Sequence, residues 1–157
     1  MTPATCLVTG GAGFIGSTLV DRLVRSGWQV RVLDDLSTGR RENLSLADCE
    51  FVAGDVRDTA AVREATRGVR AVFHLAAVPS VVESVAAPAR THAINVGGTL
   101  NVLEAARAQP GLPRVIFTSS LAVFGGPTMP DTVSDDTKIT PMTTYGMTKV
   151  VNELLLN

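Results

Sequence analysis

Tyr145 and Lys149 stand four residues apart in TTYGMTKVVNELLLN (143–157), the end of the given sequence. On a helix that interval puts the two side chains on one face, one turn apart. An ammonium beside a phenol stabilises the phenolate, which is one way to make a general base from a weak acid. Such a pair needs a substrate oxygen to act on, and other residues must provide a place for it.

A second chemical pattern lies near the start. VTGGAGFIGS (8–17) holds Gly10, Gly13 and Gly16 at the spacing GxxGxxG, and Gly11, Gly13 and Gly16 also satisfy GxGxxG. Between a strand and a helix, such glycines permit a tight turn, close approach of backbone to a pyrophosphate, and close helix–strand packing. The helix N-terminus adds N–H groups and a dipole that favour an anion. Asp34 follows Gly16 by eighteen residues. A carboxylate there can accept from adenosine ribose hydroxyls and repel a 2′-phosphate. Asp35 adds to that repulsion, which favours NAD(H) over NADP(H), while Arg40 and Arg41 nearby act in the opposite sense. In GDVRD (54–58), Asp55 could accept from an adenine amino group while the Val56 backbone meets the ring. The alternative for Asp55 is a helix N-cap, a task that Asp58 could perform instead.

The elements that must position these residues alternate regularly. Strands are expected at 5–9, 29–33, 50–54, 71–76 and 114–120, and helices at 14–27, 58–68, 90–108 and from about Thr144 onward. Gly27 and Gly68 close the first two helices. Buried strands alternating with helices imply an α/β fold, a parallel sheet covered on both faces. Right-handed crossovers make the doubly wound order 3-2-1-4-5 the expected topology. The segment 121–143, with Pro127, Pro130 and Pro141, reads as a long irregular loop leaving the fifth strand, where such sheets bind ligands.

Composition excludes several classes. The chain has 157 residues, 45% hydrophobic and 18% charged, with net charge −1, which fits one globular domain with a proper core. No basic stripe points to nucleic acid or a membrane surface, and aromatics at 4% offer no stacking platform. Cys6 and Cys49 lie in no metal-binding spacing, so no metal is expected and free thiols in a reducing cytoplasm are. The N-terminus has no signal-peptide pattern and no apolar run approaches a membrane span.

Seven segments carry a resemblance in family order: TGGAGFIG (9–16), LDDLSTG (33–39), GDVRD (54–58), HLAA (74–77), NVGGT (95–99), FTSSLAVFG (117–125) and YGMTK (145–149). Together they resemble the extended short-chain dehydrogenases/reductases, the NAD-dependent sugar epimerase/dehydratase superfamily. The resemblance implies a Rossmann fold and NAD as cofactor. It implies that Tyr145 is the acid/base on a substrate hydroxyl and that Lys149 assists it and holds the nicotinamide ribose. Ser120 would bond the reacting oxygen, and Asn95 would interrupt or steady its helix and help position Lys149. Cofactor contacts are implied for Gly10, Gly13, Phe14, Ile15, Gly16, Asp34, Asp35, Thr38, Gly39, Asp55, Val56, Leu75, Ala76, Ala77, Thr118, Tyr145 and Lys149. His74 reads as a packed strand-end residue and His92 as a helix-surface one.

Two branches of the family show through. LDDLSTGRRENL (33–44) and SVVESVAAPARTHAINVGGTLNVLEAAR (80–107) resemble UDP-glucose 4-epimerases, and residues 119–157 resemble the D-erythronate dehydrogenase branch. Phe124 stands where sugar epimerases commonly carry Tyr. Hydride transfer at a hydroxyl-bearing carbon of a small-molecule substrate, a UDP-sugar or a small sugar acid, is the implied chemistry. The other readings are an NAD(H)-binding module without turnover and an inactive fragment. The resemblance also implies a homodimer through the helices containing Asn95 and Tyr145. Because family members run to about twice this length, residues 1–157 read as a single NAD-binding domain ending after the Tyr–Lys helix, without the family's later strands and substrate domain.

Overall fold

The computed structural model describes residues 3–44, 48–125 and 132–156. In chain order they form β1 (Thr5–Thr9), α1 (Phe14–Arg25), β2 (Gln29–Asp34), a 3-10 turn (Arg41–Leu44), β3 (Cys49–Ala53), α2 (Thr59–Thr66) and β4 (Ala71–His74). There follow α3 (Val81–Ala86), α4 (Pro88–His92), a π turn (Ala93–Gly97), α5 (Gly98–Arg107), β5 (Arg114–Phe117), a second 3-10 turn (Leu121–Phe124) and α6 (Thr144–Leu156). The chain divides into two compact units, Met1–Ala76 with Gly98–Thr118, and Ala77–Gly97 with Ser119–Asn157.

The first unit holds the sheet. All pairs are parallel and the order is β3-β2-β1-β4-β5, as the alternation of elements implies. Central β1 is apolar on both sides, with Cys6, Leu7 and Val8 fully buried, and Val8 pairs with Val32 and Phe73. A strand buried on both faces is the pattern of a parallel sheet clad by helices. Edge strand β5 instead alternates exposed and half-buried residues. Helix α1 turns Val20 and Leu23 toward a core of Val8, Val30, Val32 and Leu44. Each fully buried Val or Leu there contributes about 1.5–3 kcal/mol. Gly27 at φ +85 and Gly68 at φ +72 supply the left-handed residues just beyond α1 and α2. At the start of α2 the Asp58 carboxylate accepts from the Ala60 and Ala61 N–H groups, so Asp58 is the cap and Asp55 is not.

The second unit is helical. Helix α3 was not anticipated, and the helix expected at 90–108 is three pieces. Ser80 caps α3, accepting from the Glu83 N–H. Pro88 opens α4, where its missing N–H costs nothing. The π turn then inserts one residue's worth of slack around Asn95 before α5 begins. Strands four and five end at His74 and Phe117, earlier than expected, and the residues past them belong to loops.

Candidate functional site

In the first unit the glycine loop follows β1 and opens α1. Gly10 adopts φ +70, and a Cβ there would lie 2.7 Å from the Ala76 nitrogen. A Cβ on Gly16 would lie 2.1 Å from the Gly10 carbonyl oxygen. Both positions therefore demand glycine, the first for conformation and the second for packing. Gly13 differs: its nearest neighbour is that same oxygen at 3.3 Å. It is the N-cap of α1, no side chain caps that end, and Phe14 and Ile15 are exposed beside it. An uncapped helix start behind a glycine cradle fits the pyrophosphate of a dinucleotide.

Asp34 ends β2 and is 7% exposed. Its Oδ2 accepts from the Ala12 N–H at 2.9 Å and its Oδ1 from the Leu36 N–H at 2.8 Å. The carboxylate thus holds the glycine loop and the β2 exit together, and each oxygen retains a second acceptor site for a ribose hydroxyl. Leu36 takes a left-handed φ of +57 to make this exit turn. Asp35 closes a local turn, accepting from the Ser37 N–H and hydroxyl. Thr38 is exposed, and a Cβ on Gly39 would meet Ala12 at 2.9 Å, so this loop lies against the glycine loop. Arg41 stacks its guanidinium 4.3 Å above the Phe51 ring.

Asp55 accepts from the Arg57 N–H at 2.8 Å and from its guanidinium. Val56 is buried, tight against Gly98, and its carbonyl accepts from Asn101 at 3.0 Å. At the end of β4, buried His74 sits 2.6 Å from the Thr9 hydroxyl through Nδ1 and 2.9 Å from the Thr99 hydroxyl through Nε2. The Ala76 N–H donates to the same Thr9 oxygen at 3.3 Å. The Thr9 hydroxyl oxygen thus joins the His74 ring to the Ala76 backbone, and the other ring nitrogen pairs with the Thr99 hydroxyl. This chain of bonds fixes Ala76, while Leu75 is half-buried and Thr118 donates its N–H to the His74 carbonyl. His92 lies exposed on α4.

The second unit holds the acid/base pair. Tyr145 is half-buried near the start of α6, and its N–H donates to the Ser84 hydroxyl at 3.1 Å. The Lys149 ammonium lies 5.7 Å from the Tyr145 ring centroid. Lys149 is 3% exposed, and burial, which disfavours the charged form, pushes its pKa down to about 8. Asn95, in the π turn, accepts from the Val78 N–H at 2.8 Å and donates to the Val78 carbonyl and to the Thr148 hydroxyl. Thr148 in turn donates to the Tyr145 carbonyl at 2.7 Å. So Asn95 grips the turn of α6 that carries both chemical residues. Ser120 caps the second 3-10 turn, accepting from the Ala122 N–H at 3.2 Å, and Gly146 is packed against that turn. Ala77 is half-buried.

Sequence reading passed over several contributors. Thr9 and Thr99 look like ordinary strand and helix residues. Ser119 bonds the Glu153 carboxylate, and Asn152 donates to the Asn95 carbonyl at 2.9 Å. A polar residue at a helix position three or four beyond Lys149 was the available signal. Among the described residues no cluster of His, Cys, Asp or Glu could hold a metal ion, and no helix is long and apolar enough to cross a membrane.

Comparison with known proteins gives three kinds of match. A profile of the NAD dependent epimerase/dehydratase family matches residues 6–157. A UDP-glucose 4-epimerase of Mycolicibacterium smegmatis is 46% identical over 159 residues, covering 96% of this chain and 50% of the relative. A D-erythronate dehydrogenase of Cupriavidus necator is 38% identical over 160 residues, covering 96% and 49%. The crystal structure of UDP-glucose 4-epimerase from Brucella ovis in complex with NAD superposes with a TM-score of 0.90 at 38% identity, covering 98% of this chain and 46% of that one. The chain thus spans about half the length of the curated relatives it matches.

Proposed function

We propose, because the chain belongs to the NAD dependent epimerase/dehydratase family, that it binds NAD and acts on a hydroxyl-bearing carbon of a UDP-sugar in the manner of a 4-epimerase. The observation that carries this reading is the Tyr145–Lys149 pair on α6, with the lysine buried and its turn gripped by Asn95. NAD when bound supplies the acceptor for the hydride of the substrate carbon. The protein's part is the proton. Tyr145 takes the proton of the substrate hydroxyl and later returns it, and the Lys149 charge beside the ring supports that exchange. Ser120 bonds the reacting oxygen. Gly10, Gly13 and Gly16, with the N–H groups of Phe14 and Ile15, receive the pyrophosphate. Asp34 takes the adenosine ribose and disfavours NADP, and the stacking of Arg41 on Phe51 engages one of the two guanidinium groups, Arg40 and Arg41, that could offset this. Asp55, Val56, Thr38, Gly39, Leu75, Ala76, Ala77 and Thr118 complete the cofactor contacts.

A second reading has its own observation, the D-erythronate dehydrogenase match across 96% of the chain. It makes the substrate a small sugar acid and the product a ketone. Incubation with NAD and either UDP-galactose or D-erythronate separates the two. The epimerase reading predicts UDP-glucose with no net reduced cofactor. The dehydrogenase reading predicts reduced cofactor in step with D-erythronate consumed. Binding without either product would leave an NAD-holding module and refute both. Free Cys6 and Cys49 suit a reducing cytoplasm. The exposed Met147, Leu154 and Leu155 of α6 support pairing of two copies through the helices carrying Tyr145 and Asn95. A monomeric mass by light scattering at high concentration would remove the dimer.

A further inference from the structure

Asn152 is 1% exposed and its side chain is only half satisfied. Nδ2 donates to the Asn95 carbonyl at 2.9 Å, and because a carbonyl accepts only from a donor, this contact also fixes which end of the amide is Oδ1. Oδ1 is buried with no hydrogen-bond partner among the described residues. A buried acceptor left so is costly, and native proteins commonly satisfy one with an ordered water. The neighbouring side chains narrow what that water would serve. Tyr145, Lys149 and Asn152 follow the i, i+4, i+7 spacing of one face of α6. Thr148, one turn before Asn152, spends its proton on the Tyr145 carbonyl and accepts from Asn95. Lys149, buried one turn before Asn152 on the same face, carries three donors on a charged group that gains from each hydrogen bond.

Two amides therefore cross between the π turn and α6 in opposite directions. Asn95 reaches with its side chain to Thr148, and Asn152 reaches with its side chain to the Asn95 backbone. Lys149 lies between the two anchor points in sequence. We propose that Asn152 is a positioning residue for Lys149: Nδ2 pins the Asn95 carbonyl of the π turn, and Oδ1 accepts from a bridging water that hydrates the Lys149 ammonium. The significance of that ammonium rests on the proposed function, but the bridge itself does not.

The test reads the lysine directly in the full cofactor-free chain. The sequence has only two lysines, Lys138 and Lys149, so lysine labelled with carbon-13 at Cε gives two NMR signals, with exposed Lys138 as internal control. Asn152→Leu keeps the branched side-chain shape but removes both the acceptor and the Nδ2 donor, and Asn152→Asp keeps an acceptor and adds a charge. The other charged groups of this unit on the elements around α6, Glu83, Arg90, His92 and Glu153, are the same in every variant. Loss of a water-mediated bond to a charged group should lower the Lys149 titration midpoint by about one pH unit in Asn152→Leu. Asn152→Asp should raise it above the parent value. A Lys149 midpoint unchanged or raised in the folded Leu variant overturns the proposal, because loosened packing alone relieves desolvation and would raise the midpoint, not lower it. If the Leu variant does not fold, Asn152→Val, which also lacks the acceptor, decides: a lowered midpoint supports the bridge and an unchanged or raised one overturns it. Neither outcome depends on whether the chain binds NAD or turns over a substrate.

Discussion

Raising the pH through the titration range of Lys149 should add a stabilising contribution from that residue to the cofactor-free chain, and Lys149→Met should abolish that contribution. The folded pKa is lowered from the ordinary 10.5 to about 8 by burial. Between those values the unfolded chain binds more protons than the folded one, so stability rises with pH across the window. Below about pH 8 the folded state carries the whole penalty of a buried ammonium, and above about pH 10.5 it carries none. At about 1.4 kcal/mol per pH unit the total is on the order of 3 kcal/mol. Methionine keeps most of the stem and loses the charge. The variant should therefore be the more stable chain near neutral pH, and its advantage should vanish as the pH rises through the window. Urea unfolding followed by circular dichroism, in parallel on both chains, gives the difference at each pH. Other titrating groups cancel in it, including Cys6, whose thiol burial pushes up to about 11 and which works in the opposite direction as pH rises. A difference that stays constant from neutral to strongly alkaline pH would refute the reasoning.

Three further outcomes are expected. Gly16→Ala drives a Cβ against the Gly10 carbonyl oxygen, 2.1 Å away, and should destabilise the fold by about 1–3 kcal/mol or more, measured by urea unfolding. Asp34→Ala removes two charge-assisted bonds to the Ala12 and Leu36 N–H groups and should cost on the order of 3 kcal/mol; a loss under about 0.5 kcal/mol would show that those bonds do not hold the loop. Gly146→Ala places a Cβ 2.5 Å from the Ala122 oxygen, so amide chemical shifts should move most in the turn Leu121–Phe124 and its Ser120 cap, and an unperturbed turn would contradict the packing.

The sheet was legible because its signal is redundant. β1 is a short apolar run and β2 centres on Val30, Val32 and Leu33, Gly27 and Gly68 mark where helices stop, and the alternation leaves little choice of topology. The glycine cradle was legible for a related reason: Gly10 is required by its own left-handed φ and Gly16 by the Gly10 carbonyl oxygen within the same loop. The helical unit was harder. A π turn leaves almost no trace in hydrophobic periodicity, so residues 90–108 read as one helix, and only Asn95 in mid-helix hinted otherwise. Helix α3 is six residues long and three of its valines are exposed, so it shows no amphipathic stripe. Asn152 and Glu153 resemble the polar face of a terminal helix. Their roles come from residues far away in sequence, Asn95 and Ser119, so their polarity three and four positions beyond Lys149 was a hint that named no partner.

The central claim is that the glycine loop after β1 receives a dinucleotide. Calorimetric titration with NAD of the parent chain and of Gly13→Val tests it most directly, because a Cβ on Gly13 meets only the Gly10 oxygen, a close contact at 3.3 Å that a small shift relieves, whereas a side chain has no place once a pyrophosphate lies against the loop. Saturable binding of one NAD per parent chain, much weaker binding of NADP, and no binding by a Gly13→Val variant that retains the parent's circular dichroism are the predicted results. A folded parent chain that does not bind NAD, or a folded Gly13→Val variant that binds it as tightly as the parent, would contradict the account.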